Sequence, residues 1–167
     1  MRFLALDFET ANYYRDSACS IGLVKIRDGK VFKKAEFLIK PKTRWFHFTD
    51  LHGITYEDVR NEPNFEELWA KIRPFFRGVD YVVTHNAPFD RSVLNACCDL
   101  YGIEVPNKEF LCTVRLSRQH LNLYPTNLEH VCNSLKIRLK NHHNALDDAM
   151  ACARIMMKIH KKCKGVY

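Results

Sequence analysis

No stretch of this 167-residue sequence approaches the ~18 consecutive apolar residues that a membrane-spanning helix requires. No Cys-x-x-Cys pair occurs, and the seven cysteines are odd in number. Most of them lie inside apolar periodic segments. They are expected to be reduced core residues, which excludes a disulfide or zinc framework. There is no internal repeat, low-complexity tract or interdomain linker. The N-terminus enters a strand at once, leaving no room for a signal peptide, so a cytoplasmic protein with no membrane partner is expected.

What is present is a chain long enough for one domain, residues 1–167, burying roughly two-thirds of its unfolded surface. Its hydrophobic share is 47% and falls in clear blocks. The net charge of +7 favours an anionic partner such as nucleic acid, though a basic balance alone is common.

The opening run Arg2–Thr10 begins apolar and ends in Asp7 and Glu9, with Phe8 between. Residues two apart in a strand share a face, so the two carboxylates sit side by side. They are either a solvated strand end or ligands of a divalent cation that relieves their repulsion. After a polar loop, 11–17, two β-rich runs flank Asp28-Gly29, a strong hairpin signal. With the first strand they form an antiparallel meander ended by Pro41. The segment 42–55 has no clear periodicity. Its aromatics lie among basic residues and either stack on bases or, as Trp45 and Phe46, plug the core.

A short helical turn is expected over 55–60, then a helix over Phe65–Phe76 capped by Asn64 and Glu67, with Pro74 tightening its last turn. A strand over 79–84 leads into His85-Asn86-Ala87-Pro88-Phe89-Asp90 and a helix closed near Gly102. Asp90 shares that helix's buried face with Val93, Leu94 and Cys97; its other reading is a simple helix-start charge. A strand over 109–113, a helix over 114–121 and a helix begun by a Thr126–Glu129 capping box follow. This order argues for an α/β fold with a mixed sheet, a meander plus parallel strands, flanked by helices.

The final segment, Asn141–Ala149, leads into a helix to about Lys162. At 100° per residue, Asp148 aligns with Cys152, Ile155 and Ile159 on the edge of the apolar face. Asp147 aligns with Arg154, Lys158 and Lys161. Asp148 is thus the inward carboxylate with His143 its companion, while His142 and Asp147 are expected to face solvent. Asp7, Glu9, Asp90 and Asp148 then converge and need cations. Hard oxygen ligands select Mg²⁺ or Mn²⁺, two ions being the usual arrangement for phosphodiester hydrolysis. His143 can take a proton from the attacking water.

Asp7-Phe8-Glu9-Thr10, His85-Asn86-Ala87-Pro88-Phe89-Asp90 and His143-Asn144-Ala145-Leu146-Asp147-Asp148-Ala149 resemble the three motifs of the DEDD superfamily of 3′→5′ exonucleases. The His143–Asp148 spacing resembles its histidine subtype, and Leu51-His52-Gly53-Ile54-Thr55 is similar to a segment between the first two motifs. The resemblance implies an RNase H-like fold and release of nucleoside 5′-monophosphates from nucleic acid 3′ ends, DNA more than RNA. An exoribonuclease and a silent polymerase-accessory module are the alternatives, and a DNA polymerase is a compatible partner. By motif, Asp7, Glu9 and Asp148 would hold a metal pair, Asp90 would act near the second metal, and His143 would be the general base. Thr10 and the Phe8 backbone would meet the terminal nucleotide. Leu51, His52 and Ile54 would pack on the last bases, and Asn86 and Phe89 would shape the 3′-end pocket.

Overall fold

Strand order, not helix count, decides where the carboxylates meet. The computed structural model describes residues 1–163. Strands β1 (Arg2–Thr10), β2 (Ala18–Arg27) and β3 (Lys30–Leu38) form the expected meander. Its turn is Asp28-Gly29, both at positive φ, 52° and 72°. Then come α1 (Thr49–His52), α2 (Tyr56–Val59), α3 (Phe65–Phe76), β4 (Tyr81–Thr84), α4 (Ala87–Leu100) and β5 (Glu109–Cys112). Helices α5 (Thr113–Leu121), α6 (Leu128–Ser134) and α7 (Ala145–Lys162) complete the described chain. The sheet order is β3-β2-β1-β4-β5, with β4 parallel to β1 and β5 parallel to β4. Five consecutive exposed residues, Lys30–Lys34, begin the outermost strand β3, while β5 on the other edge has four residues.

Alternation along the strands splits the core in two. Leu4, Leu6, Phe8, Ile21 and Leu23 pack with α3 and α4 on one face. Phe3, Ala5, Val24 and Ile26 pack with α5, α6 and α7 on the other. Asp7 and Glu9 continue the Phe3–Ala5 series, so they face the α7 side.

Local signals explain the helix ends. Asn64 and Glu67 close a reciprocal capping box. The Arg77 N–H reaches back only to the Pro74 carbonyl, the tight last turn that proline imposes. The segment 42–55 contains α1, and Trp45 and Phe46 do not plug the core: Trp45 is half-exposed and Phe46 packs against Tyr56. The α6 cap is one residue later than expected. The Asn127 side chain accepts the His130 N–H, while the Thr126 hydroxyl is occupied by Arg118 Nε at 3.0 Å. Among the described residues, no helix is long and apolar enough to cross a membrane.

One contact seats α7. Gly22 lies opposite Asp7 in the β1–β2 register, and a Cβ on it would run into the carbonyl and peptide of Ala145 and Leu146. The backbone of α7's first turn rests directly on the strand. Gly22→Ala should therefore destabilise the fold by about 1–3 kcal/mol, as overpacking does. Urea unfolding checks this, and an unchanged midpoint would show that the approach is not tight.

Candidate active site

Three elements bring the carboxylates together. Asp7 and Glu9 come from the end of β1, where the register with β2 slips between Glu9 and Thr10, a bulge that re-aims the strand end. Asp148 comes from the first turn of α7, which Asn144 caps by accepting the Asp147 N–H at 3.0 Å. Oxygens of Asp7, Glu9 and Asp148 lie within 4.8 Å of one another. Asp90, on α4's first turn, is buried just behind them and accepts the Phe8 N–H at 3.0 Å. The residues ahead of α4 and α7, Asn86 and His143, both hold left-handed φ, 82° and 68°. Strain of that kind in a non-glycine residue clusters at functional sites.

Like charges in a dry site raise each other's pKa. Burial, then Asp90, Glu9 and Asp148, hold the Asp7 carboxyl well above the usual range. Burial and Asp148 push Glu9 up to about 8. Burial also raises Asp90, offset in part by the Phe8 N–H. Asp148 rises through burial and is drawn back by His142. Its Oδ1 is buried with no hydrogen-bond partner. Asp7, Glu9 and Asp148 offer oxygen only, and that orphaned oxygen is what a hard cation would satisfy, while His142, His143 and Asp148 form an adjoining group with nitrogen donors.

The histidine pair departs from expectation. His142 does not simply face solvent. Its Nδ1 lies 3.0 Å from Asp148 Oδ2, which also accepts the His143 N–H at 3.0 Å. The two rings stack at 3.8 Å. In its Nδ1–H form His142 donates to the carboxylate, and burial and His142 lower the pKa of His143. Asp147 is part-exposed and accepts from Asn141, outside the carboxylate group.

A cleft of about 380 Å³ opens over this group. Phe8, Thr10, Leu51, His52, Phe89 and His143 line it as expected. Ile54 lines a neighbouring groove with His52 and His143, and Asn86 lines a separate one with Arg91 and Arg118. Phe48, His85, Asn127, Leu128 and His142 line the cleft without having been singled out. His85 sat in the second motif, and bridges Thr113 Oγ1 at 2.8 Å and the Thr126 carbonyl at 2.9 Å. Burial pushes its pKa down to about 4, so it is neutral at pH 7. His52 is a pin as well as a wall. Its Nδ1 accepts the Ile54 N–H at 3.0 Å, so its Nε2–H donates to the Thr10 carbonyl at 3.1 Å. A larger groove of about 850 Å³ lies beyond Tyr56 and contains none of the converging carboxylates.

The exonuclease family pattern matches residues 4–156. The chain belongs to the exonuclease family, and its fold is the RNase H-like fold of the exonuclease structures it resembles. It is 32% identical over 98% of its length to a DNA polymerase III PolC-type of Caldanaerobacter subterraneus subsp. tengcongensis, and 32% identical over 97% to that of Clostridium perfringens. It spans only about 12% and 11% of those relatives. Among solved structures it is similar to the nuclease domain of 3′hExo, a DEDDh family member bound to rAMP (TM-score 0.85, 17% identity, 99% of this chain and 94% of that one). It also resembles Exonuclease X in complex with 5′ overhanging duplex DNA (TM-score 0.77, 24% identity, 97% and 93%).

The raised carboxyls predict a pH signature of the metal-free protein. The folded state keeps the Glu9 proton between about 4.5 and 8, where the unfolded chain has lost it. That stabilising contribution is complete below 4.5 and disappears as pH rises through 8. Thermal unfolding in EDTA should show the melting temperature falling across this window, less steeply in Glu9→Gln. An equal slope in both proteins would exclude Glu9 as its source.

Proposed function

We propose that this chain is a metal-dependent exonuclease that hydrolyses the terminal phosphodiester at the 3′ end of a DNA strand, single-stranded or frayed, and releases a nucleoside 5′-monophosphate. The observation that carries this reading is the convergence of Asp7, Glu9 and Asp148 within 4.8 Å, with Asp90 buried behind them. Asp7, Glu9 and Asp148 would hold two Mg²⁺ or Mn²⁺ ions, with Asp90 beside the second. Bound there, the cations would neutralise the carboxylates, lower the pKa of water and stabilise charge on the leaving oxygen.

The remaining work falls to the chain's own groups. The neutral His143 imidazole accepts the proton of the attacking water. The water oxygen bonds to phosphorus as the bond to the 3′ oxygen of the preceding nucleotide breaks. Asp148 receives the His143 N–H and the His142 ring, which holds the His143 turn against the carboxylate. Thr10 and the Phe8 backbone form the floor for the terminal nucleotide. Leu51, His52 and Phe89, which line the cleft, pack on its base. Ile54 and Asn86, in the adjoining grooves, meet the strand further out.

DNA is favoured by the PolC-type polymerases among the relatives and by neighbours solved with DNA, such as E. coli Exonuclease I with a dT13 oligonucleotide. Action beside a polymerase belongs to the same proposal. The rAMP bound to the 3′hExo domain makes RNA the matched control.

The test uses 5′-labelled single strands of DNA and RNA with Mg²⁺, Mn²⁺ or EDTA. A ladder shortening from the 3′ end, faster on DNA and blocked by EDTA, is expected; no shortening of either strand would overturn the reading. Asp7→Asn and Asp148→Asn should reduce hydrolysis to background. His143→Ala should cut the rate roughly 10²–10⁴-fold, the scale of a lost general base. His142→Ala should cost roughly tenfold, as removal of a ligand's supporting partner does, and Asp147→Ala should be mild. Equal rates for His142→Ala and wild type would show that the His142–Asp148 contact is idle.

A further inference from the structure

Three aromatic side chains stand exposed beside the cleft: Tyr13 at 62%, Tyr14 at 66% and Trp45 at 50%. They are not scattered. Phe48, a cleft wall, meets Tyr13 edge-on at 4.8 Å. Tyr13 is 6.3 Å from Trp45, and Trp45 is 6.4 Å from Tyr14. His47 fills the angle, 4.8 Å from Tyr13 and 5.8 Å from Trp45. An unbroken run of rings therefore leads outward from the cleft. Single exposed aromatics are ordinary, but a contiguous patch continuous with a cleft marks an interaction surface.

The rings and the backbone together hold the loops in place: the Tyr13 hydroxyl lies 2.7 Å from His47 Nε2. The Ala11 carbonyl accepts both the His47 N–H at 2.7 Å and the Phe48 N–H at 3.2 Å. Buried Asn12 donates to the Trp45 carbonyl at 2.9 Å and accepts the Tyr14 N–H at 2.9 Å. Backbone, Asn12 and the Tyr13–His47 pair stitch residues 11–17 to 45–48, so the platform is preorganised with Tyr13, Tyr14 and Trp45 exposed. Its surroundings are cationic. Arg15 lies over Phe89 at 4.6 Å on the cleft rim. Arg44 adjoins Trp45 in the chain, and with Lys40, Lys42 and Arg60 it outnumbers Glu62 and Glu67 along the 850 Å³ groove. Aromatic faces with a cationic border suit unpaired bases on a phosphate backbone; duplex bases are already stacked and offer no free faces.

We infer that Tyr13, Tyr14 and Trp45 form a stacking platform for the unpaired bases of a DNA strand upstream of the nucleotide in the cleft, with Arg44 and Lys42 meeting its phosphates. This rests on the proposed 3′-end reaction and adds a length-dependent handhold to it. The platform grips single strands, and a paired end must fray before it reaches the rings.

Fluorescence titration tests this directly. The chain has two tryptophans, and Trp69 packs against Phe65 and Phe76. An Asp7→Asn, Trp69→Phe protein reports on Trp45 alone without degrading the probe. Oligo(dT) of about ten nucleotides should quench Trp45 saturably, and a dinucleotide should not. On the Asp7→Asn background, anisotropy should show Tyr13→Ala and Trp45→Ala weakening ten-nucleotide binding roughly tenfold each. Trp45→Phe, which keeps a ring, should recover most of it. The ratio of ten-nucleotide to dinucleotide affinity should collapse only when rings are lost. Absence of quenching, with equal oligonucleotide affinity in folded Tyr13→Ala and Trp45→Ala proteins, would overturn the inference and leave the patch to a protein partner. Failure of the wild-type protein to cleave any DNA with Mg²⁺ would instead overturn the proposed reaction.

Discussion

The missing side chain at Gly22 is the constraint on which the site depends. Because nothing projects there, the first turn of α7 lies against β2 at the position paired with Asp7. Small buried residues along the helix, Ala145, Ala149, Cys152 and Ala153, keep it close to the sheet. Asp148 then has one place to go, beside Asp7 and Glu9. A carboxylate group of this kind is unfavourable by itself. The two cores on either face of the sheet provide the packing energy that holds it together.

The same logic extends to the backbone. Each of the two helices that delivers a carboxylate begins after a non-glycine residue in left-handed conformation, Asn86 before α4 and His143 before α7. Left-handed non-glycine residues also occur away from the site, at Asn122 and Lys136, while the Asn64 capping box and the Asp28-Gly29 turn follow local preference. Asp90 is oriented by a backbone amide, that of Phe8, whose own ring packs on the face away from Asp7 and Glu9. One strand thus carries acidic residues on one face and anchors another through its main chain.

What could be read in the sequence was local. The hairpin, the Asn64 cap and the inward turn of Asp148 follow from rules spanning a few residues, and all appear in the fold. The displaced α6 cap could not be read, because Arg118 from another helix takes the Thr126 hydroxyl. His142 escaped because it lies ahead of α7, where helical periodicity does not apply, and its ring reaches Asp148 through the turn. Phe48, His85 and Asn127 reach the cleft across long chain separations. Gly22 did leave a signal: a lone glycine inside an apolar strand marks a close backbone approach.

The margins of the sheet have their own consequence. An outermost strand is a template on which a second sheet could extend. Here one margin opens with Lys30, Lys33 and Lys34, and the other is four residues long. Edge-to-edge association would bring lysines together on one side and find little to pair with on the other. The sheet is closed to growth by charge at one border and by brevity at the other, a safeguard against self-assembly in a protein whose interior is rich in strand-forming residues.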